Sequence, residues 1–271
     1  MTMLEALFLG LVQGLTEFIP VSSSAHIRIV GELLPNASDP GAAFTAITQI
    51  GTELAVLLYF RKDILKIVRA WITRDGSPEA RLGTLIIIGS LPIVVLGYLG
   101  QDYITNHFRS LWIVATTLIL FGLILGFADR IGKREKTLDV LNSKDGIAYG
   151  LAQSLALIPG VSRSGATIAL GRFLGYKREA ALRYSFLLAI PAVFGSGLYE
   201  LKAAMEDSTV SVYSMPEILA ATVVAFIVGY SVIAWLMKFI TTKTFTPFVI
   251  YRVVLGTALL IALATGALSA Q

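Results

Sequence analysis

Residues 10–27 read "GLVQGLTEFIPVSSSAHI": an apolar run broken at Pro20, with an amide, a carboxylate, three consecutive hydroxyls and an imidazole set around the break. The apolar segment that holds it, about 1–34, is split by Pro20 into halves too short to cross a hydrocarbon core of roughly 30 Å. Backbone that is not helical survives at membrane depth only where protein or a wet cavity covers it. The segment is therefore predicted to be a re-entrant helical hairpin with a functional tip.

A second segment, about 145–175, has the same build and is broken by Pro159-Gly160 in "IPGVSRSGAT". Shifted by 140 residues without a gap, "GLVQGLTEFIPVSSSAHI" lies over "GLAQSLALIPGVSRSGAT" (150–167), with Gly10/Gly150, Leu11/Leu151, Gln13/Gln153, Leu15/Leu155, Val21/Val161, Ser22/Ser162 and Ser24/Ser164 coinciding. Each hairpin is followed by three apolar stretches of spanning length: about 42–60, 83–100 and 111–128 in the first half, and 182–200, 216–237 and 246–268 in the second. The expected architecture is an all-α polytopic membrane protein of two repeats, 1–135 and 136–271, with six full spans and ten helices in all. Three crossings per repeat invert the second relative to the first.

Composition agrees with a bilayer. Of 271 residues 55% are hydrophobic and 15% charged, and the mean hydropathy is +0.75, far from soluble averages. The net charge of +4 does not point to nucleic acid, because the Lys and Arg fall in short clusters between apolar segments. Arg61, Lys62, Lys66, Arg69, Arg74 and Arg81 follow the first span; Arg130, Lys133, Arg134, Lys136 and Lys144 follow the third; Arg172, Lys177, Arg178, Arg183, Lys238 and Lys243 fall where the inverted arrangement needs the cytoplasmic side. The segments 101–110 and 201–215 are poor in Lys and Arg. Both termini are then expected outside, hairpin 1 entering from the outer face and hairpin 2 from the cytoplasm, with tips meeting near the midplane. The N-terminus has no basic n-region and carries Glu5, so a removable signal peptide is not expected. With no cysteine, disulfides, thiolate metal sites and a cysteine nucleophile are excluded.

The residues at the two tips suit an anion. Ser22–Ser24 and Ser162–Ser164 stand where each hairpin restarts as helix, so they read as N-caps. Two helix N-termini aimed at one spot favour a phosphate, and Arg163 adds a guanidinium that forks onto phosphate oxygens. Gln13 and Glu17 share a helix face, and His26, three residues after Ser23, is expected to meet it. Plainer readings stand beside these. Membrane serines and threonines, here Ser22, Ser24, Ser162, Ser164 and Thr167, also satisfy backbone carbonyls. Glu17 and Arg163 could form a structural ion pair, and His26 could be a hydrogen-bonded helix residue. Glu53, near Gln49 and Thr52, is another intramembrane carboxylate; outside the repeated motif, it could line the cavity or touch a cation, or have no functional part. Asp102, His107, Glu200 and Asp207 fall near span ends and are expected to be solvated.

"QGLTEFIPVSSSAH" followed after about 140 residues by "PGVSRSGATI" resembles the two signature motifs of undecaprenyl-pyrophosphate phosphatases, the bacitracin-resistance type of membrane phosphatase. The resemblance runs over the whole chain, including "YSFLLAIPA" (184–192) and "TPFVIYR" (246–252). The family's Glu/Gln-x-x-x-Glu element falls on Gln13 and Glu17, its Pro-Val-Ser-Ser-x-Gly-His element on Pro20 to His26, and its Pro-Gly-x-Ser-Arg-Ser-Gly-x-Thr element on Pro159 to Thr167. Gln13 at the first acidic position weakens a two-carboxylate metal site, and Ala25 in place of the usual Gly implies ordinary helix there.

The resemblance implies hydrolysis of undecaprenyl pyrophosphate to undecaprenyl phosphate and inorganic phosphate, recycling the lipid carrier of cell-wall synthesis and conferring bacitracin resistance. It implies a bacterial inner-membrane location with the site open to the outer face, and a divalent cation, Mg²⁺ or Ca²⁺, held by Glu17 and Gln13. Glu17, Ser23, His26 and Arg163 would be catalytic, with Ser23 and His26 as the nucleophile pair and Glu17 as cation ligand, base or orienter. Gln13, Ser22, Ser24, Ser162, Ser164, Gly165 and Thr167 would contact substrate. The expected partners are a polyprenyl pyrophosphate and the membrane, a homo-oligomer being left open. The rival class is an inverted-repeat transporter that flips a polyprenyl phosphate and uses Arg163 and the helix ends only to bind.

Overall fold

The structure, a computed structural model, describes residues 2–34, 39–100, 104, 108, 110–133, 135–206 and 211–268. Within them are eleven α-helices and no strand. In chain order they are α1 Met3–Thr16, α2 Ser23–Leu33, α3 Gly41–Tyr59, α4 Arg61–Thr73, α5 Pro78–Leu99, α6 Leu111–Ile131, α7 Ser143–Ser154, α8 Arg163–Phe173, α9 Arg178–Glu206, α10 Met215–Thr242 and α11 Thr246–Ala264. Six of these, α3, α5, α6, α9, α10 and α11, are long and apolar enough to cross a membrane. Their outward faces carry exposed Leu91 and Leu96 on α5, Val223 and Ile227 on α10, and Val254 and Ile261 on α11, the pattern of helices solvated by lipid.

One expectation is corrected here. The basic stretch after the first span is itself a helix, α4, which makes eleven α-helices among the described residues where ten were expected. Leu65, Trp71 and Ile72 of α4 are exposed while Ile67 and Ala70 are buried against the bundle. Arg61, Lys62, Lys66 and Arg69 share the same four turns. The charges that mark a membrane side thus also complete an amphipathic helix. Arg172, in the basic set after the second hairpin, has a structural partner. It is fully buried, with its Nε donating to Asp129 at 3.0 Å, and Asp129 also takes Arg178 Nε at 2.6 Å and the Phe245 amide at 3.2 Å. Asp129 thus ties the end of α6 to Arg172 near the end of α8 and to the starts of α9 and α11.

The broken segments form as helix, turn, helix. α1 starts with a capping box between Thr2 and Glu5 and ends at Thr16, ahead of the turn that contains Pro20. α7 is capped by the Asn142 side chain, closes through a 3₁₀ turn at Leu155–Leu157, and leads into Pro159-Gly160. Gly10 and Gly150 do the same job in the two halves. A Cβ on Gly10 would lie 2.4 Å from the Ala221 carbonyl oxygen, and one on Gly150 2.5 Å from that of Gly89. Only a missing side chain lets α1 sit on α10, and α7 on α5, that closely.

Candidate active site

Each turn ends on a serine whose backbone is held where side chains rarely go. Ser22 has φ 74° and Ser162 φ 69°, and each is the N-cap of the helix that follows. Ser22 Oγ accepts from the Ala25 amide at 3.4 Å and Ser162 Oγ from the Gly165 amide at 3.1 Å. The hydroxyls of Ser22 and Ser24, and of Ser162 and Ser164, lie 3.2 Å apart in both copies. A positive φ on serine costs about 1–3 kcal/mol and persists only where surrounding contacts over-determine it.

Arg252 supplies those contacts. It is fully buried on α11. Its Nη1 donates to the Pro20 carbonyl at 3.1 Å, and its Nη2 to the Gly160 and Val161 carbonyls at 2.9 and 3.1 Å. Its Nε donates to Leu118 on α6 at 3.1 Å. One guanidinium therefore grips both turns and fixes them to the same helix.

Between the turns, Glu17 gathers four donors. Arg163 Nη2 lies 2.6 Å from Oε1; the Ser23 hydroxyl donates to Oε2 at 2.5 Å, the Gln13 amide at 2.7 Å and the Gln49 amide at 3.4 Å. A carboxylate only accepts, so the amide nitrogen of Gln13 faces Glu17 and its oxygen faces away. Glu17, Ser22, Ser23, Ser24, Ser162 and Arg163 line one cavity of about 470 Å³. Its wall continues through Ile93, Val94 and Gly97 of α5, Leu157, and Val193 of α9. A polar floor opens into an apolar passage.

The expected pairing of Ser23 with His26 does not occur. His26 Nδ1 is 2.7 Å from the Ser22 carbonyl and Nε2 is 2.6 Å from the Tyr251 hydroxyl. The carbonyl can only accept, so Nδ1 carries the proton and Nε2 takes the tyrosine's. With Ser23 as the first residue of α2, its hydroxyl reaches back to Glu17 while His26 lies under the cap. Thr167 is likewise turned away, fully buried and bonded to the Arg163 carbonyl at 2.8 Å and to Ser185 at 2.6 Å. Ser164 pairs with Ser162, and the Gly165 amide is spent on the cap. Glu200, expected to be solvated, is half-buried on the cavity wall. Asp102, His107 and Asp207 lie outside the described residues.

The family model described as "Bacitracin resistance protein BacA" matches residues 6–258. The chain belongs to this family. Similar curated proteins include the undecaprenyl-diphosphatase of Micrococcus luteus, 60% identical over 277 residues and covering 100% of both chains. That of Pseudarthrobacter chlorophenolicus is 59% identical over 278 residues, again covering 100% of each. Undecaprenyl-diphosphatase 2 of Agrobacterium fabrum is 57% identical over 274 residues, 98% of each chain.

In this BacA-family chain, Arg252 and Tyr251 fall within "TPFVIYR", to which the sequence assigned no role. The signal for Arg252 was present: an arginine in the middle of an apolar span is expensive unless it pairs or binds backbone carbonyls. Tyr251 beside it carried no such signal.

Proposed function

We propose that this chain is an undecaprenyl-diphosphatase of the membrane, hydrolysing undecaprenyl diphosphate to undecaprenyl phosphate and inorganic phosphate. The observation that carries the reading is the Ser23 hydroxyl 2.5 Å from Glu17, beside Arg163, at the polar end of an apolar cavity. A transporter needs the guanidinium and the helix ends but has no use for a serine poised on a carboxylate.

The chemistry follows from those contacts. The terminal phosphate would draw Arg163 from Glu17 and take its two-pronged contact, with Ser22, Ser24 and Ser162 as hydroxyl donors and the starts of α2 and α8 favouring negative charge. Glu17, released from the guanidinium, accepts the Ser23 proton as Oγ attacks the terminal phosphorus. Undecaprenyl phosphate leaves, and water then cleaves the phosphoserine to return Ser23 and release phosphate. Most of the rate comes from positioning and charge stabilisation, as in phosphoryl transfer generally. His26 holds the Ser22 carbonyl and so the cap.

A divalent cation, Mg²⁺ or Ca²⁺, belongs to this proposal. The residues suit one, since the Gln13 amide oxygen is buried without a hydrogen-bond donor, turning that amide over would bring the oxygen to the Glu17 side, and oxygen ligands fit hard cations. Gln13 and Glu17 would hold it, and when bound it neutralises charge on the diphosphate oxygens.

The finer architecture is also proposed: two inverted repeats, 1–135 and 136–271, whose re-entrant hairpins meet at the site. The matched caps at Ser22 and Ser162 and the matched close contacts at Gly10 and Gly150 support it. The basic segments then face the cytoplasm, and the cavity opens to the outer face of the bacterial inner membrane. Phosphate release from polyprenyl diphosphate by purified protein in detergent tests the function, since transport has no meaning there. Substrate binding without release would point to the transporter.

A further inference from the structure

Glu53 on α3 is fully buried, and neither of its oxygens accepts a hydrogen bond. The other buried carboxylates are well supplied. Asp129 takes Arg172, Arg178 and the Phe245 amide; Asp145 takes Tyr176 and Lys136; Glu17 takes four donors. The nearest charge to Glu53 is Arg163 Nη2 at 3.8 Å from Oε2, the same nitrogen that sits 2.6 Å from Glu17. A charged carboxylate left so in a membrane interior is expensive unless something else comes to it.

Three buried oxygens therefore lack donors around Glu17: both of Glu53 and the amide oxygen of Gln13. They arrive from two directions in matching pairs. Gln13 and Glu17 are one turn apart on α1, Gln49 and Glu53 one turn apart on α3, and the Gln49 amide reaches Glu17 across the gap at 3.4 Å. Two carboxyl groups share one guanidinium. When a phosphate takes Arg163, the two carboxyl groups are left without their shared cation. Carboxylate and amide oxygens with a deficit of positive charge are what a hard divalent cation requires. No group of three or more His, Cys, Asp or Glu capable of holding a metal occurs among the described residues, so an amide oxygen has to take part.

We infer that Glu53 supplies the second carboxylate of the divalent-cation site, completing from α3 the set begun by Glu17 and the Gln13 amide oxygen on α1. The inference rests on the phosphatase reading only for its purpose. Gln13 is fully buried, bonds Glu17 and has the shape of glutamate, so a carboxylate at either position 13 or 53 would serve an ion held at Glu17.

Mn²⁺ binding to detergent-purified protein, read by loss of the free-ion electron paramagnetic resonance signal and by competition with Mg²⁺ and Ca²⁺, tests this without substrate. Thermal midpoints check that each variant is folded. Glu53→Gln, which keeps shape and removes charge, should weaken binding by at least ~10-fold, since even residues behind the ligands cost that much. The double variant Gln13→Glu/Glu53→Gln should bring affinity back to within about threefold of the parent. Parent protein that binds no Mn²⁺, a Glu53→Gln variant that binds as the parent does, or a double variant as weak as Glu53→Gln would each overturn the inference. Phosphate release measured separately on the parent keeps failure of the phosphatase reading distinguishable from failure of the cation site.

Discussion

Arg163 Nη2 lies 2.6 Å from Oε1 of Glu17, although 146 residues separate the two in the chain. The first stands at the start of α8, the second at the end of α1, so a contact between the two turns joins the cation that would bind phosphate to the carboxylate that would take a proton. A purely structural tie would gain little from placing Ser23 on the other oxygen of the same carboxylate.

Arg163→Lys separates these roles. Lysine keeps the charge but loses the planar fork, so turnover should fall at least ~10–100-fold, from about 1.5–3 kcal/mol per charged hydrogen bond. Initial rates of phosphate release against substrate concentration measure it. Near-parental turnover would leave Arg163 as a tie between helices.

Much of this centre was legible in the sequence because caps and turns are local. Ser22 and Ser162 could be read as N-caps from the proline breaks before them, and Arg163 could be matched with an anion from its position at a helix start. His26 could not be placed the same way. Helical spacing put it on the face of Ser23, but Ser23 opens its helix and its hydroxyl points back to Glu17, a choice set by side-chain rotamer and not by period. Arg252 and Glu53 lay outside the repeated motif, and the partners that give them meaning, three turn carbonyls and a distant guanidinium, come together only in the fold. α4 was hidden because its charges read equally well as a marker of membrane side.

The inverted arrangement predicts opposite exposure of two points that the structure leaves at the surface. Single cysteines at Asn142 and Ser214, in a chain with no native cysteine, should react with a membrane-impermeant maleimide from opposite sides of sealed vesicles. Labelling of both from one side would end the inverted repeat.

His26 is assigned to holding the cap and not to taking the Ser23 proton. Asparagine can present a donor where Nδ1–H stands, so His26→Asn should keep clearly more activity than His26→Phe, which leaves the Ser22 carbonyl only the backbone amide of residue 26. The acidic limb of the pH profile should survive in His26→Asn. Its disappearance would return His26 to the role of base.

Arg252→Met should destabilise the protein and lower activity together. It removes the donors for the Pro20, Gly160 and Val161 carbonyls, each buried acceptor left unmet costing about 1–3 kcal/mol. A thermal midpoint in detergent several degrees lower, with phosphate release reduced in parallel, is the expected outcome. An unchanged midpoint would show that the turns hold their shape without it.

The central claim is that Ser23, activated by Glu17, attacks the terminal phosphorus. Chirally labelled terminal phosphate on a polyprenyl diphosphate reports this directly, through the configuration of the inorganic phosphate released. Two successive in-line displacements, serine and then water, predict net retention, and rapid quenching should catch label on Ser23 that is absent from Ser23→Ala. Net inversion would mean that water attacks in a single step and that Ser23 only positions it.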